Sequence, residues 1–382
     1  MARTAVDRRD NGRYRARYQG PDNRWRSRTF DRRIDAQRWL RNELAKIDRM
    51  EWVDPRAGRA SFGLLAERWM AGRASLREST RIRDQFILKS LVLPYFGRLP
   101  VAAIQPSDLE AWVAELVAAG KAPATVRKAW QIASGVMRVA VRDRLLTVTP
   151  ARDVRLPKVE SEQPRALTVD EVMRLVDAID PRYRVLILVG AFGGLRIGEL
   201  AGLLVGDFDP LRRHIHIRRT ASDISGRVVV GPPKTPKSRR IVVLPRFVSD
   251  ELSAHMREVG ASTPSDLIFP APEGGAIHRT SWTRRFWKPA LERAGLDIDL
   301  GTHSLRHSQV ALLIAQGEHP KVIADRLGHS SVRTVLDVYG HLYEGADEAA
   351  AERLGEQIAS YSRPERVPAA VVRITKAKKA QS

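Results

Sequence analysis

The sequence predicts a multidomain, mainly α-helical chain with small β-sheets, and three observations carry that prediction. A basic stretch alternating with aromatic or small residues opens the chain, a purely helical periodicity follows from Ser61 to about Thr149, and a longer region mixing helical and strand-like patterns comes last. With 382 residues, the chain suits two or three domains of about 100 to 200 residues each, and three segments of distinct pattern favour three.

In the first segment Arg13-Tyr14-Arg15-Ala16-Arg17-Tyr18 alternates, Gly20-Pro21-Asp22-Asn23 turns, and Trp25 to Phe30 resumes. That pattern predicts a β-hairpin. Asp31 is placed to cap a following helix whose Ala36, Trp39, Leu40, Leu44 and Ile47 form an apolar stripe against the hairpin. The expected module spans residues 1–55. Its arginines Arg13, Arg15, Arg17, Arg26 and Arg28 interleave with aromatics and are candidates for DNA contact, although a charge run of this kind is as often a solvated face.

Residues 60–150 are expected to form an all-α domain. Phe62, Leu65, Ala66 and Trp69 recur at helical spacing, Ser107 with Glu110 predicts a capping-box start, and Pro100, Pro106 and Pro123 mark breaks. Residues 151–165, with Pro157 and Pro164 among charges, are expected to be a linker.

Thr168 and Glu171 predict the capping box that opens the last domain, 166–361. After an apolar helix around Val185 to Leu204, His214–Arg218, Arg227–Val230 and Arg239–Leu244 read as strands of one small antiparallel sheet, followed by helices to about Ser360. Residues 362–382 read as a basic, flexible tail.

Composition narrows the function. Lys and Arg number 65 against 44 Asp and Glu, a net charge of +21, so a polyanion is the expected partner. Basic residues recur through every region, which favours nucleic acid over a membrane surface. The absence of cysteine excludes disulfides, a thiolate nucleophile and Cys-based zinc sites, and fits a cytoplasmic protein. The longest apolar run, Val185 to Leu195, is too short and glycine-broken to span a bilayer.

Three motifs in the last domain carry chemistry together: Gly194-Leu195-Arg196-Ile197-Gly198-Glu199-Leu200, His303-Ser304-Leu305-Arg306-His307, and Leu327-Gly328-His329-Ser330 followed by Tyr339-Gly340-His341. Pro232 to Lys237, read as a basic hairpin turn, lies between the first two. Attack on a phosphodiester requires a nucleophile, donors for charge on the non-bridging oxygens, and an acid for the leaving alkoxide. Arg196 and Arg306 offer paired, permanently charged donors that match phosphate oxygens. Tyr339 is a candidate nucleophile, with His303 and His329 as candidates for its base. Lys234 or Lys237 is placed to protonate the leaving 5′ oxygen, and Lys234 is preferred. Taken singly, each residue has a plainer reading: an Arg with Glu three residues on is usually a surface pair, and a Tyr near a helix end usually packs. Lys321 to Tyr339 alone also fits a helix-turn-helix.

Order and spacing favour the chemical reading. The chain from about Ser61 onward resembles the tyrosine recombinases, the family of phage integrases and chromosome-dimer resolvases. Arg196, Glu199 and Leu200 match the family's R-x-x-E-L box, His303, Leu305, Arg306 and His307 match H-x-L-R-H, and Leu327 to Ser330 match L-G-H-S, with Tyr339 ten residues after His329. Val205 stands where many members have Trp, and Ser304 where many have Asp.

The resemblance implies a mixed α+β catalytic domain in which Arg196 and Arg306 hold the phosphate, Lys234 is the general acid, His303 and His329 assist proton movement, Glu199 supports the pocket and Tyr339 forms a 3′-phosphotyrosyl bond. It implies a helical, SAM-like core-binding domain, and the first 55 residues resemble an arm-type DNA-binding module. It further implies double-stranded attachment sites as partners, a homotetramer on DNA, and assistance by a host DNA-bending protein and a directionality factor. No cofactor or metal is expected, since the phosphotyrosyl bond conserves the phosphodiester energy and the chain lacks a G-x-x-x-x-G-K-[ST] loop and an H-E-x-x-H motif. Two rivals stand beside this reading: a non-enzymatic sequence-specific DNA-binding protein, and a type IB topoisomerase-like enzyme that relaxes DNA without exchanging partners.

Overall fold

The computed structural model describes residues 4–361 apart from 50, 53, 55–56, 160–162, 234, 329–330 and 344. Two compact units divide the chain, Met1–Glu162 and Gln163–Ser382. The expected tail, 362–382, lies outside the described residues.

The first unit opens with an antiparallel sheet ordered β1 (Thr4–Arg8), β2 (Tyr14–Gln19), β3 (Trp25–Phe30). Alternation along β2 buries Ala16 and Tyr18 on the face covered by α1 (Arg33–Asp48), which answers with Ala36 and Leu40. Trp39 of α1 packs its ring 5.5 Å from Tyr18 and 5.8 Å from Phe30. Strand β1 is an addition to the expected hairpin; its five residues, Thr-Ala-Val-Asp-Arg, are too few and too polar to show a period by themselves. Asp31 does not cap α1. It pairs instead with Arg13 at 2.8 Å, and the N-cap residue Arg32 has no side-chain cap.

The helices that follow are α2 (Phe62–Ala71), α3 (Glu78–Ile87) running through a wide π turn into α4 (Leu93–Phe96), α5 (Pro106–Ala118) and α6 (Pro123–Arg142). Phe62, Leu65, Phe96, Trp112, Ile132 and Met137 share their core. Ser61 caps α2 through Oγ, which accepts from the Leu64 N–H. The start of α5 lies two residues before the expected box: Gln105 is the N-cap and its N–H donates to Asp108 at 2.8 Å, because Pro106 fits the first helical turn where no N–H is needed. Asp84 is wholly buried, with Arg73, Lys128 and Arg83 at 2.8, 3.2 and 3.3 Å.

In the second unit the Thr168–Glu171 box opens α7 (Val169–Ala178) as expected. The apolar helix is in fact two, α8 (Arg184–Gly193) and α9 (Ile197–Ala201), separated where Gly194 takes φ +67°. Five strands follow, β4 (Phe208–Asp209), β5 (His214–Ile217), β6 (Thr220–Ile224), β7 (Arg227–Gly231) and β8 (Arg240–Val243). They form two sheets rather than the expected one: β4-β5-β8, and the separate ribbon β6-β7 turning at Ser225–Gly226. Consequently 232–237 is not a hairpin turn; it carries the chain from the ribbon back to the other sheet. Helices α10 (Arg246–Glu258), α11 (Arg279–Trp282), α12 (Lys288–Arg293), α13 (Ser304–Ala315), α14 (Pro320–Leu327), α15 (Arg333–Tyr339) and α16 (Ala346–Tyr361) complete the unit. The core gathers around α8, buried on nearly every side, with Leu200, Leu252, Trp287 and Leu305 packed near it. Among the described residues no helix is long and apolar enough to cross a membrane.

Candidate active site

Three local devices place the motif side chains. Gly194 ends α8 in the left-handed region, and a Cβ there would strike Oε1 of Gln309. The turn it permits sets Arg196 at the N-cap of α9. Its N–H donates to Glu199 Oε2 at 2.9 Å and its guanidinium to Oε1 at 3.0 Å. Arg306 lies in the first turn of α13, 2% exposed, and donates to the backbone carbonyls of Gly194, at 2.8 Å, and Leu327. Those carbonyls are available because Gly194 and Gly328 both leave their helices in the left-handed conformation, at φ +67° each. Tyr339 ends α15 and is 5% exposed, packed with Val310, Ile314, Ile323, Leu327 and Val335.

Glu199 is the anchor of the first arginine. Its buried carboxylate takes two parallel bonds from Arg240, both 3.0 Å, besides the bond from Arg196. Burial alone would raise its pKa, but the bonds and charge of Arg240, with the backbone and charge of Arg196, outweigh that and hold it below the usual carboxylate range. Arg240 also donates through Nε to the carbonyl of Arg326 at 2.7 Å, tying β8 to the end of α14. Nothing in the sequence singled out Arg240, because its partners lie 41 and 86 residues away.

Arg306 has no carboxylate partner among the described residues; two of its five N–H groups go to carbonyls. Burial, then the neighbouring Arg196, lowers its pKa to about 9, so it remains charged at neutral pH. Around Arg306 the charge is predominantly positive, Arg196 and Arg240 standing against the one carboxylate of Glu199. His303, at the N-cap of α13, has its pKa lowered by desolvation and by the charges of Arg306 and Arg196. His307, one turn along, shares a hydrogen bond through Nδ1 with Tyr339 Oη, and its ring meets His303 edge-on at 4.8 Å. Burial, relieved only in part by Arg306, raises the Tyr339 phenol to about 12, and burial with the charges of His303 and Arg306 lowers His307 to about 4.

Arg196, Glu199, His303, Arg306 and Tyr339 are thus brought together. Lys234 and His329 lie outside the described residues, and Lys237 is exposed in the turn Pro236–Ser238. The N-terminal arginines belong to the other unit. Arg13 pairs with Asp31, Arg15 and Arg17 with Asp7, and Arg28 rests against Phe30. Arg26 differs from these: it is 13% exposed, held by Asp22 at 2.7 Å and Asp54 at 2.8 Å, and stacked on Trp52. Two carboxylates and a ring occupy its guanidinium, which is the bonding of a structural clasp.

A tyrosine near one arginine that itself neighbours a second is the equipment of a DNA strand transferase working through a phenol. Comparison with known proteins agrees along the chain: the model of the phage integrase family matches residues 165–345, that of the phage integrase N-terminal domain 5–49, and that of the phage integrase central domain 62–156. The integrase of Mycobacterium phage L5 is 28% identical over 360 residues, covering 91% of this chain and 95% of its own. Tyrosine recombinase XerD of Corynebacterium glutamicum is 30% identical over 221 residues, 55% of this chain and 68% of its own. Among solved structures, the Tn1549 transposon integrase in complex with transposon right end DNA superposes with a TM-score of 0.69 at 19% identity over 78% of this chain and all of its own. A lambda integrase dimer bound to a core site gives 0.58 at 18% identity, over 88% and 95%. The chain belongs to the phage integrase family, and it is a tyrosine-type site-specific DNA recombinase.

Proposed function

We propose that the chain integrates or excises a phage or other mobile element by breaking and rejoining its attachment sites through Tyr339. The observation that carries the assignment of residues is the convergence of Arg196, Arg306 and Tyr339, far apart in sequence, on one cationic pocket. Arg196 and Arg306 hold the scissile phosphate and stabilise the charge that gathers on its non-bridging oxygens. Tyr339 Oη attacks phosphorus, a 3′-phosphotyrosyl bond forms, and the 5′ oxygen departs with a proton from Lys234 or, three residues along the sequence, Lys237. His303 and His329 hydrogen-bond the phosphate and assist proton movement, and Glu199 keeps Arg196 aimed.

Residues 1–55 serve as an arm-type module reading distant sites through Arg13, Arg15, Arg17 and Arg28; exposed pairs of this kind are weak and yield to phosphate. Residues 60–150 serve as the core-binding domain, 151–165 as a linker and 166–361 as the catalytic domain. The working assembly is a homotetramer on two DNA sites: a related lambda integrase has been solved as a tetramer bound to a Holliday junction. A host bending protein and a directionality factor complete the assembly.

The test is a nicked suicide duplex bearing the attachment core, sought in DNA flanking the coding sequence and resolved on a denaturing gel. Wild type is expected to leave a covalent protein–DNA band that Tyr339→Phe loses while still binding. Tight binding with no covalent species from either protein would overturn the assignment of Tyr339.

A further inference from the structure

We propose that His307 is a catalytic residue of this recombinase: its Nδ1 takes the phenolic proton of Tyr339 during strand cleavage and returns it on rejoining. The inference rests on the reading of Tyr339 as nucleophile. The reacting oxygen already has a partner, since Tyr339 Oη and His307 Nδ1 share a hydrogen bond across the α13–α15 contact, with ring centroids 5.7 Å apart. His303, the other histidine of the motif, makes no hydrogen bond to Tyr339 among the described residues; it touches His307 instead. Place in the chain explains the pairing. His307 directly follows Arg306 on α13, so the helix that carries the phosphate-holding arginine also carries the acceptor facing α15.

The step balances without any further reagent. As the Oη–P bond forms, the Oη–H bond breaks and its proton passes to Nδ1, which must begin with its lone pair free and the hydrogen on Nε2. The P–O5′ bond breaks, and O5′ takes a proton from the general acid. Rejoining reverses each transfer, so imidazolium at 307 is then the acid for the departing tyrosine.

The groups around His307 set its proton affinity. His303 and Arg306 on its own helix oppose a positive imidazole, Tyr339 faces it from α15, and the turn Gly340–Tyr343 packed against α13 carries His341 and Tyr343. A phenol pushed up to about 12 beside an imidazole lowered to about 4 keeps its proton at neutral pH. A phosphodiester seated between Arg196 and Arg306 offsets their charge, which raises the proton affinity of His307 as attack begins. Substrate therefore switches on its own base.

The experiment uses the full chain and a nicked attachment-core duplex whose scissile 5′ oxygen is replaced by sulfur. Thiolate leaves without a proton, so the rate of covalent adduct formation reports on the nucleophile alone. Wild type is expected to react at a nearly constant rate between about pH 6 and 9, because a neutral base is already in place. His307→Asn presents an amide oxygen that accepts the phenolic hydrogen bond but no proton. It is expected to be slower by about 10²- to 10³-fold, to gain about tenfold per pH unit as phenolate forms, and not to be restored by the sulfur substrate.

An Asn variant within about threefold of wild type, or one restored by sulfur, overturns the proposal; the second result would move His307 to the leaving-group side. Should the variant no longer bind the site, the wild-type profile decides, since a rise of about tenfold per pH unit there means no built-in base. A wild type that forms no adduct on site DNA indicts Tyr339 itself, and is read apart from these outcomes.

Discussion

Glu199 shows how one buried residue governs the pocket. Its side chain is 4% exposed and that of Arg240 6%, with two parallel bonds of 3.0 Å between them. Removing one partner of such a pair strands the other, so Arg240→Ala is expected to cost ~3–5 kcal/mol in urea unfolding of the catalytic unit. Arg240→Lys should recover only part, because ammonium cannot make the paired contact. The pH dependence has a definite sign. Glu199 titrates below its ordinary value when folded, so its contribution is complete above the unfolded pKa of about 4.3 and drains away as pH falls through the folded value. Glu199→Gln should flatten that part of the stability curve in urea unfolding between about pH 3 and 6, and an unchanged curve would show that the clasp contributes nothing.

At the scale of elements, the break between α8 and α9 does two jobs with one glycine. It turns the chain so that Arg196 begins a helix, and it frees the Gly194 carbonyl for Arg306. Gly194→Ala must hold alanine at φ +67° and push its Cβ into Gln309. The expected loss is ~1–3 kcal/mol of stability in urea unfolding, with slower adduct formation because the Arg306 acceptor moves. Gly226→Ala is the control. It sits at φ +78° in the β6–β7 turn with nothing within 4 Å of a Cβ, so it should show the backbone cost without the loss of cleavage. Equal effects on cleavage at the two sites would separate Gly194 from the pocket.

At the scale of the whole molecule, each unit has its own core and the basic excess extends through both. A net charge of +21 makes phosphate neutralisation the expected main source of affinity for DNA. With six or more phosphates contacted, affinity for an attachment-site duplex should fall by about 10³-fold or more between about 50 and 200 mM salt, measured by fluorescence anisotropy. Arg26→Ala should leave that slope unchanged while lowering the thermal stability of the first unit, because its guanidinium is occupied by Asp22, Asp54 and Trp52. Arg28→Ala should reduce the slope by about one contact without that loss. The opposite pattern would return Arg26 to the DNA-facing set.

Much of this was legible in the chain. Periodicity announced the amphipathic helices, Thr168 with Glu171 announced the start of α7, and the spacing of Arg196, His303, Arg306 and Tyr339 announced the chemistry. Those features are local: a helix face or a cap depends on residues three or four apart, and a motif keeps its order whatever surrounds it. Tertiary structure decided the rest. The division of five strands into a sheet and a ribbon depends on which edges meet, and β5 pairs with β8 across the whole excursion of β6 and β7. The buried clasp of Arg240 on Glu199, the capture of Arg26, and the seat of Tyr339 against His307 join side chains separated by 41, 28 and 32 residues. No period or cap encodes such meetings, because they exist only once packing has brought distant helices and strands together and set these buried polar groups against their partners.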